Sequence, residues 1–239
     1  MSAKADAAAL SAVGERFGLT EGGAVALARF LTIIAEDPVA PTTVRSSAAA
    51  IEVHLADSLV ALELPALRAA RTLADLGAGV GMPGLALAAA LPAAAATLVE
   101  SAARKCAFLR RAAAAMALGD RVEVVCARAE AWAAGHAAHD VVTARAVAAL
   151  PVLVEYAAPL LRVGGSLVAW KGSVEAGEEA DGEAAAAHLG LEPRGYRAVE
   201  PYPTARGRRL YVYVKIGPTP NGYPRRPGMA RKRPLRATR

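Results

Sequence analysis

The run Asp75-Leu76-Gly77-Ala78-Gly79-Val80-Gly81-Met82-Pro83-Gly84 constrains this chain more than any other stretch. It follows the apolar run Thr72–Leu76 and opens an alanine-rich segment, so it reads as the turn between a strand and a helix. Three glycines at alternate positions clear every Cβ from one side of that turn, and backbone N–H groups there can approach a ligand closely. Pro83 stands near the helix start, where proline is tolerated. Gly79 to Gly84 also satisfies G-x-G-x-x-G, and Glu100 lies 21 residues after Gly79. That pattern fits a dinucleotide fold, in which the distant acid holds ribose hydroxyls. It fits an S-adenosylmethionine fold equally well. Asp75 favours the second, because a carboxylate just before the glycines is unhelpful beside a pyrophosphate. It suits a ligand with an ammonium, a sulfonium and no phosphate.

The chain around this loop alternates strand-like and helix-like segments. β-prone runs at Thr72–Leu76, Ala96–Glu100, Val122–Cys126, Asp140–Ala144 and Ser166–Trp170 are separated by helical stretches, which predicts βαβ units and a parallel sheet. Two further runs, Tyr196–Val199 and Arg209–Ile216, are joined only by a loop and read as a hairpin, so at least one strand is antiparallel. Before residue 72 the pattern is helical, in Ala5–Arg16, Gly23–Ile34 and Ser47–Leu62. The predicted organisation is a helical extension over 1–65, a core over 66–217 and a Pro/Arg-rich arm over 218–239. The arm is expected to be irregular and unpacked. Five parallel strands finished by an antiparallel pair is the arrangement of S-adenosylmethionine-dependent methyltransferases of the Rossmann-like class I. A plain dinucleotide dehydrogenase sheet is usually parallel throughout.

Charge adds a second constraint. The net charge is +6, yet Arg194 to Arg239 holds 13 Lys and Arg against the single acid Glu200, so this end carries +12 and the body −6. A basic end on an acidic body suggests contact with a polyanion. The two cysteines, Cys106 and Cys126, exclude a disulfide scaffold and are expected to sit reduced in a cytoplasmic protein. The four histidines show no ligand spacing, and no metal is expected. No signal peptide is visible. The uncharged stretch from Val80 to Val99 contains Gly81, Pro83, Gly84 and Pro92 and is a poor membrane span.

Further candidates follow from position. Glu130, after the third strand, stands where a methyltransferase of this class meets adenine. Arg145, at the C-terminal end of the fourth strand, could hold the cofactor carboxylate or a guanine edge. Lys171, after the fifth, reaches the same rim. Thr143-Ala144-Arg145-Ala146 lacks the tetrad usual for methylating exocyclic amines, and neither cysteine has the proline neighbour usual for carbon-5 methylation. A nucleophile that needs little activation, such as guanine N7, fits a site without a general base.

Taken together, the residues resemble the glucose-inhibited division protein B family over about 43–235. The pieces are His54-Leu55-Ala56-Asp57-Ser58-Leu59, the glycine loop, Arg104-Lys105 with Phe108-Leu109, Ala127-Arg128-Ala129-Glu130, Arg145-Ala146-Val147-Ala148, Lys171-Gly172, Arg208-Arg209-Leu210 and Tyr223-Pro224-Arg225-Arg226-Pro227-Gly228. The resemblance implies methyl transfer from S-adenosylmethionine to guanine N7 in the 530 loop of 16S ribosomal RNA, as free RNA or within the small subunit. It implies a cytoplasmic, non-membrane enzyme, expected to act as a monomer. Matched motif to motif, the implied cofactor positions are Gly77, Met82, Ala129, Glu130 and Arg145, with Asp75, Gly79 and Glu100 near. Arg145 and Lys171 would position the substrate. RNA contacts are expected from Arg104, Lys105, Arg128, Arg225, Arg226, Lys232 and Arg233. Met82 stands where relatives often have Phe or Leu, Glu100 where many have Asp, and Arg209 where many have His.

Overall fold

Short runs rich in Val, Leu, Thr and Tyr pair into one seven-stranded sheet in the computed structural model, which describes residues 3–238. The strands are β1 (Thr72–Leu76), β2 (Ala95–Glu100), β3 (Val122–Cys126), β4 (His139–Arg145), β5 (Leu161–Lys171), β6 (Leu191–Val199) and β7 (Arg208–Lys215). Their spatial order is β3-β2-β1-β4-β5-β7-β6. The first five are parallel, and β7 runs antiparallel to both β5 and β6. This is the expected sheet. From β1 the chain winds outward to β2 and β3, then returns to the other side of β1 as β4. The switch point between β1 and β4 is where open α/β sheets place a ligand crevice.

Both faces of the sheet are covered, which explains why the central strands are apolar without alternation. On one face, Leu73, Leu98 and Val141 pack with Leu85, Phe108 and the N-terminal helices. On the other, Val142, Leu167 and Tyr213 pack with Leu153 and Ala185. Helices Ala3–Phe17 and Glu21–Glu36 bury Phe17, Leu27 and Phe30 in the first cluster, so the N-terminal segment shares the core of the sheet. Thr20 caps the second of these helices by accepting the Gly23 N–H at 3.1 Å. Gly23 also lets that helix approach Gly84–Ala90 closely, since a Cβ there would lie 2.7 Å from the Ala89 carbonyl oxygen.

Residues 47–63 form one continuous helical rod with changing pitch: α over Ser47–Ala50, π over Ile51–Ala56, α over Asp57–Leu59 and 3-10 over Val60–Glu63. A π segment is an uncommon interruption that recurs at functional sites. Here it leads directly into Asp57, at the crevice.

Two expectations are corrected. The segment after residue 217 is not a free arm. It has little regular structure beyond the short helix Met229–Lys232, but it is docked on the core through buried Ala230 and through Arg225, whose guanidinium lies on the fully buried carboxylate of Glu155. The cysteines are not separate thiols either. Cys106 and Cys126 are joined as a disulfide with their Cα atoms 5.8 Å apart. The parallel register sets Cys126 opposite Glu100, and helix Ala103–Ala115 carries Cys106 back over the end of β2, where its Sγ lies 3.2 Å from the Glu100 carbonyl oxygen.

Candidate active site

Two cavities open at the C-terminal ends of the parallel strands and meet at Ala146, which lines both. Ala146 has φ +57°. That left-handed conformation is unusual for a residue with a Cβ and turns the chain sharply after β4.

The first cavity, about 360 Å³, lies across the ends of β1, β2 and β3, with Gly77, Glu100, Lys105, Arg128, Ala129 and Glu130 in its wall. Gly77 has φ +64°, and a Cβ there would meet Val147 Cγ2 at 2.7 Å, so the position admits glycine alone. The Glu100 side chain is 7% exposed. Its Oε2 accepts the Gly79 N–H at 3.1 Å and its Oε1 the Ala102 N–H at 2.9 Å. Each oxygen keeps a further lone pair for a hydroxyl donor. Lys105 Nζ stands 3.9 Å from Glu100 Oε2. Glu130 Oε1 accepts the Gly228 N–H at 3.0 Å, and Arg231 Nη2 donates to the Val147 carbonyl at 2.8 Å. The C-terminal segment is therefore a wall of this cavity. Tyr156 completes it, with its hydroxyl pKa raised by burial and by nearby Glu130.

Asp75 and Met82 lie behind the glycine loop and do not line this cavity. Met82 is buried in the core. Asp75 is 1% exposed and holds the loop itself: Oδ2 accepts the Gly84 N–H at 2.9 Å and Oδ1 accepts the Thr143 hydroxyl at 2.8 Å. Where the sequence suggests a partner for a cationic ligand, the carboxylate instead satisfies the start of the following helix. Burial pushes its pKa up to about 6, against the hydrogen bonds from Thr143 and Gly84 and the charge of Arg145. The folded protein thus holds a proton between pH 4 and 6 that the unfolded chain, with its ordinary value of 3.8, has released. Stability from this group is present below the unfolded value and lost as pH rises through the folded one. Between pH 7 and pH 5 the wild type should gain about 1 kcal/mol of unfolding free energy relative to Asp75→Asn. Urea titrations at the two pH values check this, and equal pH slopes in the two proteins would contradict it.

The second cavity, about 320 Å³, is lined by His54 and Asp57 from the helical rod, Arg145 from β4, Trp170 and Lys171 from β5, and Arg208 from β7. Arg145 Nη1 donates to Asp57 Oδ2 at 2.8 Å and to the Val53 carbonyl at 3.1 Å. Trp170 Nε1 donates to the Asp57 carbonyl at 2.7 Å. Lys171 Nζ pairs with Glu178 Oε1 at 2.6 Å. His54 Nε2 lies 3.0 Å from Thr42 Oγ1, and burial, then the charge of Arg145, lowers its pKa to about 4. It is a neutral imidazole at neutral pH.

Of the sequence candidates, Gly77, Glu100, Lys105, Arg128, Ala129 and Glu130 thus share the first cavity, with Gly79 bonded to Glu100. Arg145 and Lys171 share the second, and Arg145 does not line the first. Arg104, Arg226, Lys232 and Arg233 are exposed. Arg225 is committed to Glu155 and holds the tail. Sequence reasoning missed Val147, Tyr156, Asp57 and Arg208 as cavity residues. Asp57 and Arg208 belong to motif pieces of the resemblance, but no local pattern signals that they meet.

Comparison with known proteins agrees with this geometry. Residues 36–202 match the family model of the rRNA small subunit methyltransferase G, GidB. A ribosomal RNA small subunit methyltransferase G of Rubrobacter xylanophilus is 46% identical over 189 residues, covering 77% of this chain and 72% of the relative. One of Chloroflexus aggregans is 42% identical over 206 residues, covering 85% of each. Among solved structures, the S-adenosylmethionine-dependent methyltransferase SibL superposes with TM-score 0.56 at 18% identity, over 67% of this chain and 55% of that one, a likeness of fold. With 167 residues inside the family model and relatives above 40% identity over most of its length, the chain belongs to the rRNA small subunit methyltransferase G family.

Proposed function

We propose that this protein transfers a methyl group from S-adenosylmethionine to N7 of a guanine in the 530 loop of 16S ribosomal RNA, acting as a monomer in the cytoplasm. The observation that carries the reading is the pair of cavities meeting at Ala146, one with Gly77, Glu100 and Glu130 in its wall, the other with Arg145, Lys171 and Arg208. The residues of the first fit the cofactor. Its volume lies within the range of small-ligand sites. Gly77 leaves the backbone bare, Glu100 would accept from ribose hydroxyls with its free lone pairs, and Glu130 would face the adenine. When bound, the sulfonium supplies an electrophilic methyl group. Guanine N7 has a lone pair and no proton to remove, so the chain's residues need only hold the base and exclude water, and no general base is required. RNA phosphates would meet the exposed Arg104, Arg128, Arg226, Lys232 and Arg233. Among the described residues no helix is long and apolar enough to cross a membrane.

The reading is tested by incubating the purified protein with S-adenosylmethionine and small subunits or 16S RNA, then mapping modified guanines by mass spectrometry. A single N7-methylguanine in the 530 loop is expected. Methylation elsewhere, or none, overturns it. Glu100→Ala removes both ribose acceptors and the partners of the Gly79 and Ala102 N–H groups. It should weaken S-adenosylmethionine binding by about a hundredfold. Calorimetry measures this directly, and an unchanged dissociation constant would remove Glu100 from the cofactor site.

A further inference from the structure

Asp57 is an anomaly in the second cavity. Its side chain is 7% exposed, and its Oδ2 is held by Arg145. Its Oδ1 is buried and accepts no hydrogen bond. The nearest cation, Arg208 Nε, lies 3.5 Å away without forming one. Leaving a buried carboxylate oxygen without a donor costs more than leaving a neutral acceptor. A second polar atom of the same lining is also unpartnered, His54 Nδ1. A cavity with two such atoms is built for a polar ligand that brings its own hydrogen-bonding groups.

We infer that Asp57 is the residue that selects guanine, accepting N1–H and N2–H of the target base at Oδ1 and at the spare lone pair of Oδ2. This rests on the methyltransfer reading above and deepens it. The chemistry singles out one base. A substrate at the junction of the cavities must turn a nucleophile toward Ala146 and the first cavity while giving donors to Asp57. Guanine carries N7 and O6 on one edge, and N1–H and the N2 amino group on the far edge. Adenine also has an N7, but its N1 is a lone pair that would face the carboxylate. Pyrimidines have no N7. A buried carboxylate acceptor discriminates strongly, because a base that lacks the donor leaves it unpaired. Arg145 Nη1 holds Oδ2 at 2.8 Å, and Arg208 Nε stands 3.5 Å from Oδ1.

The test uses the full chain and two small-subunit RNA substrates, one with the target guanosine and one with inosine there, which keeps N7, O6 and N1–H but lacks the N2 amino group. Wild-type kcat/KM should fall by about ten- to hundredfold on inosine. In Asp57→Ala, activity on guanosine should fall, and the guanosine-to-inosine ratio should collapse to within about twofold of unity. S-adenosylmethionine affinity, read by calorimetry, reports that the variant is folded. Equal wild-type rates on the two substrates overturn the inference, as does an Asp57→Ala protein that keeps the wild-type ratio. A cavity that merely receives an RNA phosphate predicts the latter, with tighter RNA binding once the carboxylate is gone. Should Asp57→Ala fail to bind S-adenosylmethionine, Asp57→Asn carries the same comparison, and a wild-type ratio near unity still overturns the inference. Failure of the underlying reading looks different: wild-type protein then leaves the guanosine substrate unmethylated.

Discussion

Replacing Arg225 with alanine should destabilise the protein by about 3–5 kcal/mol, the range for breaking a buried ion pair from one side. Glu155 has no exposed surface, and Arg225 supplies its donors. Arg225 Nε lies 2.9 Å from Oε1 and 3.1 Å from Oε2, Nη2 reaches Oε2, and the Arg225 backbone N–H reaches Oε1 at 3.2 Å. Without the guanidinium, the fully buried Glu155 carboxylate loses its side-chain donors. The lower midpoint of a urea titration, with unchanged slope, measures the loss. A second expectation follows from chain connectivity. Gly228 and Arg231, only a few residues on, make the contacts to Glu130 and Val147 that wall the first cavity. Undocking the tail should therefore weaken S-adenosylmethionine binding as well. Replacing both partners with apolar residues, Glu155→Leu with Arg225→Met, should recover much of the stability, since no buried charge is then left bare. A single Arg225→Ala change of less than 1 kcal/mol would show that the pair does not hold the tail. Deleting 218–239 is consequently a poor probe of RNA binding alone, because it also strips Glu155.

The pair also marks the limit of what the sequence reveals. Strand positions were legible because strand and helix periodicities are local, and glycine and proline punctuate them. Thr72–Leu76 and Val122–Cys126 were located to the residue. The Gly77 turn and the reach from Gly79 to Glu100 were legible for the same reason, since the spacing is imposed by one strand-turn-helix unit. Composition misled at the tail, where Pro, Gly and Arg signal irregular backbone correctly but say nothing of docking. Arg225 is an anchor only because β5 and its preceding helix bring Glu155 beneath it, 70 residues away in sequence. Asp75 shows the same limit at close range. Its position before the glycines was plain, but its acceptors are taken by Gly84 and by Thr143 on the neighbouring strand, a partner visible only once β1 and β4 are paired. Cys106 and Cys126 meet through the register of β2 and β3. The π segment before Asp57 has no sequence signature, because Ile51–Ala56 carries ordinary helical residues.

Arg145→Ala should reduce methyl transfer to about a percent of wild type or less, at least about a hundredfold in kcat/KM, the scale of losing a preorganised charged group from a reaction site. Arg145 ties the end of β4 to the helical rod through both a carbonyl, Val53, and a carboxylate, Asp57. Its removal acts on the second cavity in two ways. The cation at the rim is lost, and Asp57, 5% exposed, keeps only the unbonded contact with Arg208. Part of the loss should therefore appear as a lower melting temperature, from the partly stranded carboxylate. Arg145→Lys separates the two effects. An ammonium restores the charge, but as a point charge it lacks the planar fork that serves Val53 and Asp57 together. It should recover stability more than activity. S-adenosylmethionine affinity should change little in either variant, because Arg145 does not line the first cavity. A large loss of cofactor binding with the fold intact would instead place Arg145 at the cofactor. Undiminished transfer in Arg145→Ala would exclude the second cavity as the seat of the target base.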